Sequence, residues 1–247
     1  MTPRKTVPGR RTNLTLKKPK PRRAALPRAS ETEGPVFVLV GPFARARALA
    51  AWANLYFRED DAVCFVGVDA GLKPLFDSAL PITIGIGDWD SLKDRSLLDE
   101  APTLTLKRDK NQSDLAVAID FALSFRARAI IAAGFQGGRL DQEWANALEL
   151  ARASKSAKKV TSFGPQGEMH FVSSGRGLNL ETRSGQILSV FPVGGPARGV
   201  RVRGLRFAPR NGILSLSSEG LSNRATGSQV SVTVKSGTLM ILLPASD

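Results

Sequence analysis

The chain has 247 residues, of which 42% are hydrophobic and 23% charged, and its formal net charge is +13. These proportions are typical of a globular protein with a core, and no apolar run is long enough to span a bilayer, which argues against membrane insertion. The first residues lack the apolar segment of a secretory signal, and a single cysteine, Cys64, excludes an internal disulfide, so we expect a cytoplasmic protein with Cys64 in its core.

Residues 1–34 form a basic segment with ten Lys or Arg, two Glu and five Pro. Such a segment buries too little apolar surface to offset the entropy cost of ordering it, so we expect a disordered basic N-terminal arm. Its charge is compatible with a weak nucleic-acid contact, and equally with a solvated extension that has no specific partner.

Short apolar strands alternate with helices in residues 35–164. This alternation predicts a mostly parallel, Rossmann-like sheet with helices on both faces. The predicted strands and helices, in chain order, are Val36–Val40, Phe43–Phe57 (helix), Ala62–Val68, Ile82–Ile86, Thr103–Leu106, Ser113–Arg126 (helix), Ala129–Ala133, Asp141–Ala153 (helix) and Lys159–Phe163.

Residues 165–247 have a different pattern, in which short strands are separated by Gly, Pro, Asn and Ser. No helical periodicity is evident there, so we predict a second domain, an antiparallel β-sandwich, with the boundary near residue 165. The predicted strands are Met169–Val172, Leu178–Glu181, Gln186–Phe191, Val200–Arg203, Ile213–Leu216, Gln229–Val234 and Thr238–Leu243.

Acidic residues follow the strands and begin the helices of the first domain. Each has an ordinary explanation, because carboxylates hold turn amides and stabilise helix N-termini. Grouped at one edge of a sheet, however, they would repel one another, and a divalent cation would relieve that repulsion. Oxygen ligands without a Cys or His cluster favour Mg²⁺ over zinc. The residues concerned are Asp69, Asp88, Asp90, Asp114 and Asp141.

The segment Gly137-Gly138-Arg139 adds residues suited to binding phosphate. The glycines allow close backbone approach, and Arg139 offers a forked donor to an anion. A Walker-type loop is absent from the sequence. His170, the one histidine, lies in a predicted strand and is expected to be structural. The acidic positions and this segment together indicate a magnesium- and phosphate-binding site.

Four ordered motifs, with a weaker fifth at Leu221-Ser222-Asn223, resemble those of the thiamine pyrophosphokinase (thiamine diphosphokinase) family. The resemblance runs from about Val36 to Pro244 and omits the basic arm. The four motifs are Asp69-Ala70-Gly71, Gly87-Asp88-Trp89-Asp90-Ser91, Lys110-Asn111-Gln112-Ser113-Asp114-Leu115 and Gly138-Arg139-Leu140-Asp141-Gln142.

The resemblance implies transfer of a diphosphoryl group from ATP to the hydroxyl of thiamine, with Mg²⁺ as cofactor and AMP as the second product. It also implies a homodimer whose thiamine cleft combines the α/β domain of one subunit with the β domain of the other. By resemblance the residues divide into catalytic and metal-binding Asp88, Asp90 and Asp114; ATP- or phosphate-binding Asp69, Gly71, Ser91, Arg139, Asp141 and Gln142; and thiamine-binding Phe207, Ser222 and Asn223.

Three positions depart from the family pattern. Asn111 replaces an aspartate and Ser113 a threonine, and Phe207 stands where tryptophan is frequent. Two alternatives therefore stay open beside thiamine. One is a diphosphokinase acting on another heterocyclic alcohol, such as a hydroxymethylpterin. The other is a nucleic-acid-binding protein in which the arm is functional and the acidic site vestigial.

Overall fold

The computed structural model describes residues 34–58 and 61–245. The predicted disordered arm, residues 1–34, lies outside the described residues except for Gly34. In the described part of the chain, no helix is long and apolar enough to cross a membrane.

The first half of the structure alternates strands and helices, as predicted. The apolar runs form strands because both faces of the sheet are covered. The elements are β1 (Val36–Val40), α1 (Ala46–Tyr56), β2 (Val63–Val68), α2 (Leu72–Asp77), β3 (Ile84–Gly87), β4 (Thr103–Thr105), α3 (Asp114–Ser124), β5 (Ala129–Ala133), α4 (Leu140–Ala153) and β6 (Lys159–Gly164).

The second half consists of strands with short turns. Three of these strands are only two residues long, so they contribute few ladder hydrogen bonds. The elements are β7 (Gly167–Ser173), β8 (Arg176–Glu181), β9 (Ile187–Pro192), β10 (Ala197–Arg198), β11 (Arg201–Arg203), β12 (Ile213–Leu214), β13 (Asn223–Arg224), β14 (Gln229–Val234) and β15 (Thr238–Pro244).

One ten-stranded sheet runs through both halves, in the order β13-β9-β15-β7-β6-β5-β1-β2-β3-β4. The strands from β6 to β4 in this order are parallel, and β6 pairs antiparallel with β7 through the turn between Gly164 and Gly167. A three-stranded sheet, β11-β14-β8, and the β10-β12 pair complete the fold. The fold class is confirmed, and the sheet crosses residue 165 without interruption.

Three apolar layers hold these elements together. Helices α3 and α4 pack on one face of the parallel strands, and α1 and α2 pack on the other. Alternate residues of β1 supply both layers: Phe37 and Leu39 face the first, and Val38 and Val40 the second. The third layer joins Leu188 and other residues of the large sheet to valines of β14, which makes this half a sandwich.

Several element boundaries differ from the prediction. Helix α1 begins at Ala46 and not at Phe43, because the backbone N–H groups of Gly41 and Phe43 donate to carbonyls of Ala133 and Gly134 beside β5. Helix α2 was not predicted, since it spans only six residues and contains Pro74. The two-residue strands β10 and β13 were also missed, because so few residues carry no period.

Candidate active site

Asp69 follows β2 in a single 3₁₀ turn with a left-handed backbone, φ 47°. Two glycines make room for this turn. A Cβ on Gly87 would lie 2.8 Å from the Cα of Asp69, and a Cβ on Gly71 would lie 1.9 Å from the carbonyl oxygen of Val40. Gly71 therefore acts through backbone packing at the point where β1 and β2 end.

The turn after β3 is anchored by Trp89, which is only 2% exposed and has a φ of 63°. Its indole Nε1 donates to Oγ1 of Thr105 at 2.9 Å, and Arg95 donates to its carbonyl oxygen at 3.0 Å. Because Trp89 is fixed in the core, the aspartates on either side of it, Asp88 and Asp90, are held at the end of the strand.

Asp114 is the first residue of α3, and the helix is capped by Ser113, whose hydroxyl oxygen accepts from the backbone N–H of Ala116 at 3.2 Å. The ammonium of Lys110 lies 2.9 Å from Oδ1 of Asp114 and 2.9 Å from Oδ2 of Asp88. The hydroxyl of Ser113 thus caps α3, and Lys110 joins Asp114 to the strand-end turn.

Asp69, Asp88 and Asp114 converge. Each offers one carboxylate oxygen, and these oxygens lie within 4.8 Å of one another. We call these three residues the aspartate cluster. Oδ1 of Asp69 is buried without a hydrogen-bond partner among the described residues. Three converging carboxylates, one of them with an unpartnered oxygen, fit the all-oxygen ligand preference of Mg²⁺.

The three members of the cluster differ in acidity. Burial raises the pKa of Asp69 and of Asp114, and neighbouring carboxylates add to both shifts. The hydrogen bond from Lys110 holds the pKa of Asp88 below its usual value. Although Lys110 pairs with both Asp88 and Asp114, burial outweighs that pairing at Asp114, so it is the harder of the two to ionise.

Asp90 and Ser91 lie beside the aspartate cluster. The hydroxyl of Ser91 donates to Oδ1 of Asp90 at 2.8 Å, and the backbone N–H of Asp90 donates to Oδ1 of Asp88 at 3.2 Å. The set of convergent carboxylates thus differs by one residue from the predicted metal ligands, since it contains Asp69 in place of Asp90.

Arg139 and Asp141, at the start of α4, pair with each other on the surface. Nη2 of Arg139 lies 2.5 Å from Oδ2 of Asp141, whose Oδ1 accepts from the backbone N–H of Gln142 at 3.0 Å. The side chains of Arg139 and Asp141 are 72% and 66% exposed. Arg139 is therefore accessible to an anion, but the structure does not bring Asp141 into the aspartate cluster.

The backbone N–H groups of Gly137 and Gly138 converge on one anion. Both donate to Oε1 of Glu143, at 2.5 and 3.0 Å. Two adjacent backbone N–H groups thus bind one carboxylate oxygen, here from Glu143 in α4, the helix that follows these glycines. Glu143 was not identified from the sequence, because nothing in its spacing distinguishes it from an ordinary surface residue of a helix.

Asn223 supports the segment that carries Phe207. Its amide Nδ2 donates to the carbonyl oxygen of Phe207 at 2.7 Å, and its Oδ1 accepts from the backbone N–H of Phe207 at 3.1 Å. Asn223 is 6% exposed and Phe207 is 61% exposed. The buried amide of Asn223 thus positions the backbone of Phe207, whereas the Phe207 ring is largely exposed, with the guanidinium carbon of Arg206 5.4 Å from its centroid.

Phe207 and Asn223 line a cavity of about 230 Å³ in the second half of the chain, with Glu219 among the other lining residues. Ser222 precedes Asn223 with a φ of 53°, and its backbone N–H donates to the hydroxyl of Ser189 at 3.0 Å. The apolar residues of the lining are Val190, Val202, Leu205, Ala208, Pro209 and Leu214.

The thiamine-binding and metal-binding predictions fall at opposite ends of the large sheet. Asn223 lies in β13, the first strand of the order, and Asp88 follows β3, the ninth. Eight spacings of about 4.8 Å place these strands on the order of 38 Å apart in an untwisted sheet. One copy of the chain therefore does not bring both residue sets to one ligand.

His170 and Cys64 are structural, in line with the sequence analysis. His170 is buried in β7, where Nδ1 lies 3.2 Å from Oγ1 of Thr161 and Nε2 lies 3.1 Å from Oε2 of Glu168. That second contact holds the pKa of Glu168 below its usual value. Cys64 is 2% exposed in the layer beneath α3 and α4.

The model of the family "Thiamin pyrophosphokinase, catalytic domain" matches residues 58–162. This range contains the whole aspartate cluster. Over this segment the chain is similar to the thiamine pyrophosphokinase family.

Individual relatives agree with the family match. The chain is 24% identical to the thiamine pyrophosphokinase of Bacillus subtilis (strain 168) over 188 residues, which cover 74% of this chain and 88% of that protein. The solved Geobacillus thermodenitrificans thiamin pyrophosphokinase superposes with a TM-score of 0.69 at 24% identity, covering 86% of this chain and 98% of the other. For the Candida albicans thiamin pyrophosphokinase the TM-score is 0.68 at 13% identity, covering 94% and 96%. The fold is therefore that of known family members.

Proposed function

We propose that this protein is a thiamine diphosphokinase that transfers a diphosphoryl group from ATP to the hydroxyl of thiamine, giving thiamine diphosphate and AMP. The observation that carries the proposal is the convergence of Asp69, Asp88 and Asp114 within the segment matched by the family model. Attack on the β-phosphorus of ATP needs charge neutralisation and alignment more than a covalent intermediate, and this cluster is suited to both.

The aspartate cluster would hold Mg²⁺, which when bound neutralises charge on the polyphosphate and orients it. Among the chain's own residues, Trp89 fixes the turn that carries Asp88, and Gly87 leaves the space that Asp69 needs. Asp90 and Ser91 lie beside these ligands and would contact them or the phosphates. We retain Asp90 as a site residue because its charge acts on both Asp69 and Asp114.

Arg139 and the start of α4 would bind nucleotide phosphate. The guanidinium is exposed, and its partner Asp141 is exposed as well, so an incoming phosphate can compete for the same donors. Gln142 and Asp141 would then position this helix terminus. At the other end of the sheet, Phe207 would stack on the pyrimidine of thiamine, with Ser222 and Asn223 supporting it.

We also propose a homodimer with a shared active site. The separation of Asn223 and Asp88 along one sheet supports it, because a second copy of the chain can supply the missing half. Helix α4 adds an apolar stripe, Leu140, Trp144 and Leu148, whose exposed fractions are 82%, 59% and 43%. Large apolar side chains exposed at helical spacing along one face of a helix are typical of a protein–protein interface.

Product analysis tests the reaction. The protein is incubated with Mg²⁺, thiamine and ATP labelled at the α- or the β-phosphate. Diphosphoryl transfer predicts that the β-label appears in thiamine diphosphate and the α-label in AMP. Absence of the β-label from every thiamine product would contradict the proposal. Replacing thiamine with a hydroxymethylpterin tests the other acceptor class, and AMP formed only with that acceptor would reject thiamine as the substrate.

Asp88→Asn provides the matched test of the site, since it keeps the shape of the side chain and removes its charge. We expect at least a hundredfold loss of turnover, because one cluster carboxylate is lost. Asp94→Asn is the control: Asp94 also accepts from a backbone N–H, that of Ser96 at 3.2 Å, but lies outside the cluster. Near-normal turnover of Asp88→Asn in a folded protein would reject the assignment.

A further inference from the structure

The ammonium of Lys110 occupies the position between two carboxylates of the aspartate cluster. Its Nζ lies 2.9 Å from Oδ2 of Asp88 and 2.9 Å from Oδ1 of Asp114. The side chains of Lys110, Asp88 and Asp114 are 19%, 11% and 18% exposed. Solvent and salt screen such a group of charges weakly, so its members affect one another strongly.

A divalent cation and this ammonium would need the same carboxylates. Mg²⁺ binds oxygen at about 2.0–2.1 Å and requires near-octahedral geometry, which leaves no room for an ammonium held by the same groups. Two cations at such close range also repel. A metal ion can therefore enter the aspartate cluster fully only when Lys110 gives up at least one of its two contacts.

Lys110 is able to move, but it needs a new anionic partner. A lysine has a four-carbon flexible stem and a compact, strongly hydrated charge, so it can change partners with little strain. Asp88 and Asp114 are the two carboxylates that hold it here. The phosphates of a bound nucleotide would supply negative charge beside the cluster and thus a destination for the ammonium.

We propose that Lys110 is the resident counter-ion of the aspartate cluster and makes metal binding depend on the nucleotide. Without nucleotide, Lys110 competes with the metal for Asp88 and Asp114. With nucleotide, the phosphates accept Lys110 and the carboxylates become available. The inference rests on the proposed function, in that it takes the cluster to be the metal site and a polyphosphate to be the co-ligand.

The consequence is a positive coupling between the two ligands. By thermodynamic linkage, any factor by which the nucleotide strengthens metal binding is the factor by which the metal strengthens nucleotide binding. The enzyme would bind free Mg²⁺ weakly and the metal–nucleotide pair tightly. Lys110 also limits the mutual repulsion of the carboxylates while the cluster holds no metal, because its positive charge lies between them.

The test measures Mn²⁺ binding by electron paramagnetic resonance, with the full chain and no thiamine. Lys110→Met keeps the length of the side chain and removes the ammonium. We expect Mn²⁺ alone to bind Lys110→Met about tenfold more tightly than wild type, since such couplings are commonly 5- to 150-fold. Adding α,β-methylene-ATP, which cannot transfer its diphosphoryl group, should strengthen Mn²⁺ binding to wild type more than to the variant.

Lys158→Met is the matched control, because it also removes one positive charge. Lys158 is exposed and directly precedes β6, at the amino end of the parallel strands and away from the cluster. Its Mn²⁺ affinity should equal that of wild type. Lys110→Arg, which keeps the charge, should bind Mn²⁺ alone no more tightly than wild type.

Unchanged or weaker Mn²⁺ binding by folded Lys110→Met would overturn the proposal, and so would an equal gain in Lys158→Met. If Lys110→Met does not fold, Lys110→Gln is measured against the same two outcomes. Thiamine turnover plays no part in this measurement. A protein that shows the predicted shift but makes no thiamine diphosphate would refute the proposed reaction and leave the role of Lys110 intact.

Discussion

Trp89 and Thr105 tie the loop of the candidate site to the edge of the sheet. The indole Nε1 of Trp89 donates to Oγ1 of Thr105 at 2.9 Å, which joins the turn after β3 to the last residue of β4. Gly85 makes the arrangement possible, because a Cβ at that position would lie 2.9 Å from Cη2 of the indole. The core thus determines where the flanking aspartates lie.

Thr105→Val should destabilise the protein by about 1–2 kcal/mol, because the buried indole N–H loses its partner while the shape of the side chain is kept. Turnover should fall as well, since the turn holding Asp88 loosens. Urea unfolding and steady-state kinetics measure the two effects. Thr103→Val, at another exposed position of the same strand, is the control, because the indole of Trp89 donates to Thr105 and not to Thr103. Equal losses in both variants would show that the hydrogen bond has no special role.

Asp69→Asn should abolish most activity and at the same time stabilise the metal-free protein at neutral pH. Burial raises the folded-state pKa of Asp69 above its unfolded value of 3.8, so the ionised carboxylate costs stability above the folded-state pKa. That cost disappears below the unfolded value, where both states are protonated. Asparagine also tolerates the left-handed backbone at this position.

The stability gain of Asp69→Asn should therefore appear as the pH rises through the folded-state pKa and should be absent below pH 3.8. Chemical unfolding at several pH values, without metal, measures it. A loss of stability at neutral pH would contradict the sign of the shift. Added Mg²⁺ should stabilise wild type more than Asp69→Asn, because the variant lacks one cluster carboxylate.

Gly87→Ala should displace Asp69 and weaken metal binding by about tenfold, with a stability cost of about 1–3 kcal/mol from overpacking. The new methyl would meet the Cα of Asp69 at 2.8 Å, and backbone cannot yield as a side chain tip can. Gly227→Ala is the control, because its Cβ would meet nothing within 4 Å. Calorimetric titration with Mg²⁺ compares the two variants, and equal affinities would show that Asp69 tolerates the shift.

Mixing two inactive variants tests whether the active site is shared between subunits. Asp88→Asn removes a cluster carboxylate and Phe207→Ala removes the exposed ring of the other half. In a mixed dimer with a shared site, one site carries both defects and the other carries neither. After random exchange we expect about a quarter of wild-type activity, since half of the dimers are mixed and half of their sites are intact.

No recovery in a mixture that light scattering shows to be dimeric would place both residue sets within one subunit's site. A monomer at working concentration would contradict the dimer itself. The activities of Phe207→Leu alone, of wild type alone and of a mixture of the two provide the baseline for subunit exchange. Recovery well above a quarter would indicate that one of the variants is not inactive.

The strands that were predicted correctly are those whose pattern is set by local burial. The predicted bounds are correct for Val36–Val40, Ala129–Ala133 and Gln229–Val234. The first two are continuous apolar runs and the third alternates apolar with polar residues, and both patterns predict strands. Helix α1 starts later than predicted, since its first residues are held by the loop after β5, far away in sequence. Such tertiary contacts leave no trace in local periodicity.

In the candidate site too, local sequence pattern predicted some features, and contacts between distant residues determined the others. Strand ends and helix starts in the sequence indicate Asp69, Asp88 and Asp114, because the carboxyl ends of parallel strands share an edge. The contacts of Lys110 were not foreseen, since they join residues 22 positions apart as well as close neighbours. The hydrogen bond from the side-chain amide of Asn223 to the backbone of Phe207 was also not foreseen, because it joins residues 16 positions apart.

The unbroken ten-stranded sheet has a consequence for dissecting the molecule. The predicted division into 35–164 and 165–247 stays a prediction, yet a cut at that point would separate β6 from β7, which exchange a full antiparallel ladder. Each fragment would then expose the unpaired backbone of a formerly central strand to other molecules. We expect each piece to aggregate when it is produced alone and the two pieces to reassemble when they are co-expressed. The two halves would thus behave as one folding unit.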